Sequence, residues 1–386
     1  MLTTPPSDCS VLLHDAQAKR WLLFERPLEV LQTSEPGEVL ATLRAVEAAV
    51  DQRGLHAAGL LAYEAASGFA PALRVRPDGA FPLLWFGLYG APRAVELPQV
   101  TPPETQEGDT WAASVSPAEY ARAFEQIKQW IREGDTYQVN LTYRLRRAFA
   151  EDPWPVFVRM AAAQGPTFGA FVATPGWTVC RASPELFFSL DGERLESRPM
   201  KGTAPRGLTL AQDRENAAAL QASQKNRAEN LMIVDLLRND LGRVAEPGSV
   251  RVPRLFALEK FPTVWQMTSV VRARTSAPVC DIFRALFPPA SITGAPKSRT
   301  VRLIERNEVV SSAVGAKPSA TTGSAAGVSA TSPAKLTSAA GGGPSAAKVR
   351  MSRLSRPSRV GMSAWPRSLA NSSWKAIRSL MGPVQG

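Results

Sequence analysis

Four short clusters between residues 183 and 297 carry side chains able to do chemistry. The first two are Ser183-Pro184-Glu185 and Arg198-Pro199-Met200-Lys201-Gly202-Thr203-Ala204-Pro205-Arg206. They flank a strong two-residue turn signal, Asp191-Gly192, with β-rich runs at 177–181 and 186–190 before it and 194–200 after it. A hairpin there would bring Glu185 and Lys201 to its open end. Arg198 and Arg206 would depress the lysine pKa as neighbouring cations. A neutral lysine amine is a nucleophile, and a nearby carboxylate can give or take a proton. The plainer alternative is a pair of solvated charges at a hairpin end. Strict alternation would set Lys201 opposite Ala182 and aim it away from Glu185, so a bend at Pro184 or a bulge must re-aim one of them.

The third cluster is Arg227-Ala228-Glu229-Asn230, predicted on the first turn of a helix whose stretch 231–237 is apolar on every side except Asp235. A carboxylate entering a buried helix needs a partner, and a hard cation such as Mg²⁺ is one candidate. A cap or an ordinary salt bridge is the other. Asp235 reads as structural, on the apolar side and paired with Arg238 or Asn239. The fourth cluster is Ser291-Ile292-Thr293-Gly294-Ala295-Pro296-Lys297, small and polar between apolar segments. Its amides and hydroxyls could hold a carboxylate, or it could be a surface turn. It lacks the glycine and lysine spacing of a phosphate loop.

The elements that must position these clusters leave local signals. Residues 36–53 are helical in pattern. Ser116-Pro117-Ala118-Glu119 is a capping box with proline at the first helical position, and Gly134 ends that helix. Residues 137–145 alternate like a strand, with Tyr137, Val139, Leu141 and Tyr143 on one face. Residues 213–241 read as helix. The Pro-rich, polar stretch Leu97 to Gly108 reads as a surface loop. The chain divides into residues 1–110, mixed α and β without a chemical motif, then 111–308, which hold all four clusters, and a tail, 309–386.

Composition removes several function classes. Of 45 Lys and Arg, ten lie after Glu308, where there is no acid at all; the 35 that precede it face 34 acids. The net charge of +11 therefore belongs to the tail, and a nearly neutral body argues against nucleic acid as the main partner. The two histidines, His14 and His56, make a Ser-His-Asp hydrolase or a histidine-rich metal site a poor fit. Cys9, Cys180 and Cys280 are scattered without metal-type spacing, as expected in a reducing cytoplasm. No secretory leader is visible at the start. No apolar run approaches the ~18 residues of a membrane span.

Taken together the clusters resemble the chorismate-utilising enzyme family. The text SPELFF, ESRPMKGTAPRG, KNRAENLMIVDLLRNDLGRV, GSVRVPRLFALEKFPTVWQMTS and FPPASITGAPKSR carries the likeness, densely over about 110–308. The stretches 62–66 and 82–87 are similar to shorter members of its aminodeoxychorismate synthase branch. The resemblance implies an α+β fold, a single large antiparallel β-sandwich domain with helices outside and the site in the cleft between sheets. It also implies roles: Lys201 as nucleophile on chorismate, Glu185 as proton-transfer group, Glu229 as a Mg²⁺ ligand, and Thr203 with Ser291, Thr293, Gly294 and Ala295 around the substrate. Ammonia would come from a glutamine amidotransferase subunit, since no Cys-His glutaminase pattern is present. Anthranilate synthases, the neighbouring branch and the alternative reading, usually carry alanine where this chain has Lys201. Two departures stand out. Gln266 occupies a position where many relatives have histidine, and nothing after Glu308 matches the family's remaining strands, arginine and second metal ligand.

The tail has sixteen serines, nine glycines and neither tyrosine nor phenylalanine. It reads as a basic linker or, as Trp365 and Trp374 favour, as translation of GC-rich DNA in the wrong frame. A third reading, from another functional class, is a non-catalytic chain whose basic tail binds nucleic acid. A fold deprived of central strands exposes unpaired backbone and apolar surface. The expected outcome is an unstable chain with little or no synthase turnover on chorismate, ammonia and Mg²⁺. Normal turnover in that assay would refute it.

Overall fold

The computed structural model describes residues 1–73, 75, 81–100, 111–165 and 168–308, with the short strand 334–336. Residues 101–110 of the expected surface loop, and the tail apart from that strand, lie outside the described residues. In chain order the first elements are β1 (Ser10–Asp15), β2 (Arg20–Phe24), β3 (Glu29–Thr33), α1 (Val39–Arg53), β4 (His56–Leu61), α2 (Ala66–Phe69), β5 (Leu84–Tyr89) and β6 (Arg93–Val95). Next come β7 (Ala112–Ala113), α3 (Pro117–Arg132), β8 (Gln138–Leu141), β9 (Leu145–Arg146), α4 (Pro153–Gln164), β10 (Phe168–Ala173) and β11 (Thr178–Ser183). β12 (Leu186–Asp191), β13 (Arg194–Arg198), β14 (Met200–Pro205), α5 (Leu210–Ala222) and α6 (Gln224–Gly242) follow. The last are β15 (Arg251–Lys260), β16 (Val264–Arg274), α7 (Val279–Leu286), β17 (Gly294–Ala295), α8 (Lys297–Glu308) and β18 (Ala334–Leu336). Among the described residues no helix is long and apolar enough to cross a membrane.

Two five-stranded antiparallel sheets dominate. The first runs β11-β10-β1-β2-β6; in the second, β12-β13-β16-β14, strand β15 takes the other edge of β16. The two-residue period of a strand explains how the first sheet is covered on both faces. Val11 and Leu13 enter a core shared with Phe187, Leu195 and Val271 of the second sheet, with Leu43 of α1, Ile233 of α6 and Phe283 of α7. Leu12, between them, points to the opposite side and packs with Trp154 and Phe157 of α4. At the centre of the shared core Phe188 meets Phe283 edge-on, with centroids 5.2 Å apart, a geometry that adds roughly 0.5–1.5 kcal/mol beyond area burial.

Local signals are realised where they concern backbone hydrogen bonds. Ser116 and Glu119 close a reciprocal capping box on α3, and Gly134 ends it with φ +78°. The Asp191-Gly192 turn joins β12 to β13, with Asp191 opposite Arg194. Three expectations need correction. Residues 178–183 do not continue that hairpin; β11 pairs with β10 in the other sheet. The helix expected over 213–241 is two, divided at Ser223, whose hydroxyl caps α6 by accepting from the Asn226 amide (3.3 Å). Nor is α6 buried all round. Glu229, Ile233, Val234, Leu237, Asp240 and Leu241 form one buried stripe, while Leu231 is exposed. Asp235 faces solvent and pairs there with Arg238 at 3.1 Å.

Where β12, β13 and β16 meet, Glu196 is 4% exposed and is held by three arginines: Arg198 at 2.6 Å, Arg194 at 3.1 Å and Arg272 at 2.5 Å. Although burial opposes ionisation, these partners bring its carboxyl down to about 2. That lies below the unfolded value of about 4.3, so the folded chain holds fewer protons and the stabilisation is lost as the pH falls through this window. Glu196→Gln should therefore lower stability by roughly 1–3 kcal/mol at neutral pH. Urea titrations should show the gap to the parent closing as the pH falls from about 5 to about 2.

Candidate active site

The chain crosses from the first sheet to the second at Ser183-Pro184-Glu185. There the Ser183 hydroxyl accepts from the Glu185 amide (3.2 Å), and Arg181 donates to the Glu185 carbonyl (3.3 Å). Glu185 thus stands at the seam between the sheets. Lys201 comes from β14, which shares one edge of β16 with β13; Pro199 separates the two strands. Met200 pairs with Thr268 but Thr203 with Gln266, so the register slips by one residue across Lys201-Gly202. Gly202 takes φ +100°. A Cβ on it would stand 3.1 Å from Asn226, 3.2 Å from Met267 and 3.3 Å from Leu220. The bulge thus needs glycine on both conformational and steric grounds. This resolves the alternation problem, since Lys201 is not paired opposite Ala182 at all.

Lys201 is 3% exposed, which removes the reading of a solvated hairpin-end charge. Its Nζ donates to the Ser291 carbonyl at 2.6 Å. Burial lowers its pKa, while the negative charges of Glu185 and Glu229 push it up; the net direction is down. The cause differs from the one expected. Arg198 is tied to Glu196, and Arg206 clasps Asp213 through Nε (2.6 Å) and Nη2 (2.7 Å). Neither acts on Lys201. For Glu185 burial raises the pKa against opposing bonds from the Ser291 hydroxyl and the Met200 amide and the charges of Lys201 and Arg181. Ser291 therefore touches both groups, the amine through its carbonyl and the carboxylate through its hydroxyl. Each group is driven towards its uncharged form.

Glu229 lies in the second turn of α6 rather than its first, since the helix begins at Gln224. It is 2% exposed and neither carboxylate oxygen has a hydrogen-bond partner. Its nearest cation is Lys225, at 4.0 Å. A buried carboxylate without donors is the kind of group that a hard cation completes. Yet among the described residues no set of three or more His, Cys, Asp or Glu could hold a metal. The fit is to a cation bound by one protein carboxylate and finished by substrate and water oxygens.

The 291–295 stretch is no surface turn: Ser291, Thr293 and Ala295 are all buried. Ser291 and Ala290 line a pocket with Glu185, Leu186, Phe187, Pro199 and Leu237. Thr293, Gly294 and Ala295 are instead committed to architecture. The Thr293 hydroxyl donates back to Pro289 (3.1 Å), and its carbonyl accepts from Asn140 (2.9 Å). Gly294 packs on the Gln138 carbonyl so closely that no Cβ fits. The Ala295 carbonyl accepts from Thr136 (2.9 Å). Thr203 is exposed, its hydroxyl donating to Gln266 (2.9 Å), outside the buried group. Sequence reading missed Arg181 and Thr136, which carry no motif, and left Asn230 without a role. The isolated Gly202 in a strand pattern was an available sign of a bulge.

The sequence profile of the family described as chorismate binding enzyme matches residues 8–311. The chain belongs to this family. Among curated members, aminodeoxychorismate synthase component 1 of Salmonella typhimurium is 44% identical over 200 residues, which are 51% of this chain and 44% of that relative. Anthranilate synthase component 1 3 of Haloarcula marismortui is 37% identical over 201 residues, 52% of this chain and 40% of that one. The chain thus spans less than half the length of these two relatives. Among solved structures, anthranilate synthase component I from Streptococcus pneumoniae aligns with a TM-score of 0.61 at 21% identity, covering 80% of this chain and 79% of that one. The expected chorismate-utilising enzyme fold is therefore the one found.

Whatever occupies the site, an unbonded buried carboxylate destabilises the metal-free chain. Glu229→Gln should raise its stability by roughly 1–3 kcal/mol in chelator-treated buffer. A urea midpoint that falls instead would mean that Glu229 is satisfied by a partner.

Proposed function

We propose that the site of this chain is built for the amination of chorismate to 4-amino-4-deoxychorismate, on the way to 4-aminobenzoate and folate, with turnover impaired by the departure of residues 309–386 from the family. Ammonia would come from a glutamine amidotransferase subunit. The observation that carries the reading is Lys201, buried, bonded to the Ser291 carbonyl at 2.6 Å, and within electrostatic reach of both Glu185 and Glu229. The identity to aminodeoxychorismate synthase component 1 supports it.

In this reading the neutral Lys201 amine attacks C2 of chorismate. The ring double bonds shift and the C4 hydroxyl departs as water, taking a proton from Glu185, whose acid form burial favours. Ammonia then adds at C4, the double bonds shift back, and Lys201 is released as a free amine while the excess proton returns to Glu185. One difficult substitution becomes two easier ones. Glu229 would hold Mg²⁺, which supplies a grip on a substrate carboxylate and screens its charge. Ser291 fixes both protein groups with one residue, which spares the site an ordering cost at the moment of reaction. Anthranilate formation is the second reading, favoured by the identity to anthranilate synthase; it requires release of pyruvate, to which a lysine adduct contributes nothing.

Stoichiometric amounts of the full chain suffice for the test, so low turnover is no obstacle. Incubated with chorismate and Mg²⁺ without ammonia, the chain should carry a chorismate-derived mass on the peptide holding Lys201. Lys201→Ala should carry none, and added ammonia should discharge the adduct to 4-amino-4-deoxychorismate. Amino product without any adduct would overturn the role of Lys201. Pyruvate in place of that product would overturn the reaction.

A further inference from the structure

The bulge that carries Lys201 poses a hydrogen-bonding problem that the strand cannot solve alone. Between the Met200–Thr268 and Thr203–Gln266 pairs the ladder is interrupted. The carbonyls of Lys201 and of Met267, facing each other across that interruption, would go without donors in a dry interior. Asn230, fully buried on α6, fills the gap. Its Nδ2 group donates to the Lys201 carbonyl at 3.2 Å and the Met267 carbonyl at 3.1 Å. Its Oδ1 accepts from the Ser269 hydroxyl at 2.6 Å, and that same hydroxyl accepts from the Phe256 amide of β15 at 3.1 Å. One side-chain amide thereby ties β14, β16 and, through Ser269, β15 to the helix.

We propose that Asn230 is the positioning residue for Lys201, clamping the bulge in the one register that delivers the lysine amine to the Ser291 carbonyl. The proposal rests on the functional reading given above only in taking Lys201 to be the reacting group. Three features support a dedicated device rather than generic packing. An amide is the one short neutral side chain with two donors on one nitrogen, as two converging carbonyls require. Asn230 directly follows Glu229, so the same helical turn fixes the bulge and supplies the buried carboxylate. And Gly202, next to Lys201, leaves the bulge without a side chain of its own to resist a slip back into regular register.

The test reads the geometry of Lys201 without relying on turnover. Full-length chain is pulse-labelled with acetic anhydride across a pH series, and the peptide containing Lys201 is quantified by mass spectrometry. Asn230→Ala removes the clamp, and Asn230→Asp replaces donors by an acceptor at nearly the same shape. Ser269→Ala loosens the clamp one bond away, and Arg238→Ala, on the solvent face of the same helix, is the control. For both Asn230 variants the midpoint of Lys201 labelling should move by about one pH unit or more towards that of free lysine, a roughly tenfold change at fixed pH. Ser269→Ala should give a smaller shift of the same sign, and Arg238→Ala none. An unmoved midpoint in variants with the parent's circular dichroism would overturn the proposal. So would loss of fold in all three clamp variants, which would assign Asn230 to architecture alone. A shifted midpoint in the variants, with a parent chain that forms no chorismate adduct, would keep the clamp and sink the functional reading instead.

Discussion

The site depends on one contact, the amine of Lys201 held against the carbonyl of Ser291 inside the protein. A charged ammonium there forfeits most of its hydration and gains one carbonyl, so burial favours the neutral amine. Two carboxylates oppose that drift, and their opposition keeps the lysine from being merely a neutral core residue. The pKa direction is a balance between burial and Glu185 with Glu229. Glu185 experiences the mirror image, with burial winning over its donors. Burial thereby draws the two groups away from an ion pair, the lysine towards its neutral amine and the glutamate towards its neutral acid. Proton transfer from the acid form of one to the amine of the other would create two ions where water is scarce, and burial opposes it.

That contact has architectural costs distributed over the fold. The lysine must leave a regular strand, and Gly202 permits this through a conformation that other residues adopt only with strain. The carboxylate must sit on the seam between sheets, which the Ser183 turn arranges. Ser291 must come from a third place, and the stretch behind it is pinned by Thr293 and Gly294 to the segment around Gln138. In that stretch the Thr293 hydroxyl donates to the Pro289 carbonyl, and the carbonyls of Thr293 and Ala295 accept from Asn140 and Thr136. Of the small residues in 291–295, Ser291 meets Lys201 and Glu185, and Thr293, Gly294 and Ala295 tie the stretch to the segment around Gln138.

What could be read from the sequence divides along a physical line. The capping box at Ser116, the end at Gly134 and the turn at Asp191-Gly192 involve groups a few residues apart, so residue type alone determines them. The pairing of residues 178–183 was misread because alternation looks the same whichever strand lies alongside, and the choice of neighbour is non-local. The environment of α6 was misread for a related reason. Leu231 and Ile233 are equally apolar, but only the second faces a partner. The cation argument for Lys201 failed similarly, since Arg198 and Arg206 have carboxylate partners that lie near them in space. Family resemblance, by contrast, rested on long stretches of text and so pointed to the fold directly.

The tail returns to the fold at one place among the described residues. Strand β18 pairs with β8, setting Ala334 opposite Leu141 and Leu336 opposite Val139, while β17 takes the other edge of β8. An edge strand presents a row of amides and carbonyls that any extended backbone can satisfy, whatever its side chains. Ladder pairing is therefore weak testimony that a segment evolved for its position. Specific testimony comes from side chains that fill a core or reach a ligand, and the acid-free composition after Glu308 offers no carboxylate for a cation beside Glu229. The second ligand expected from the family would have to be an oxygen from another source. A site with one protein carboxylate holds a divalent ion only as well as substrate and water can finish its shell. If Glu229 holds Mg²⁺ as proposed, metal affinity and substrate affinity would be linked, each completing the site for the other.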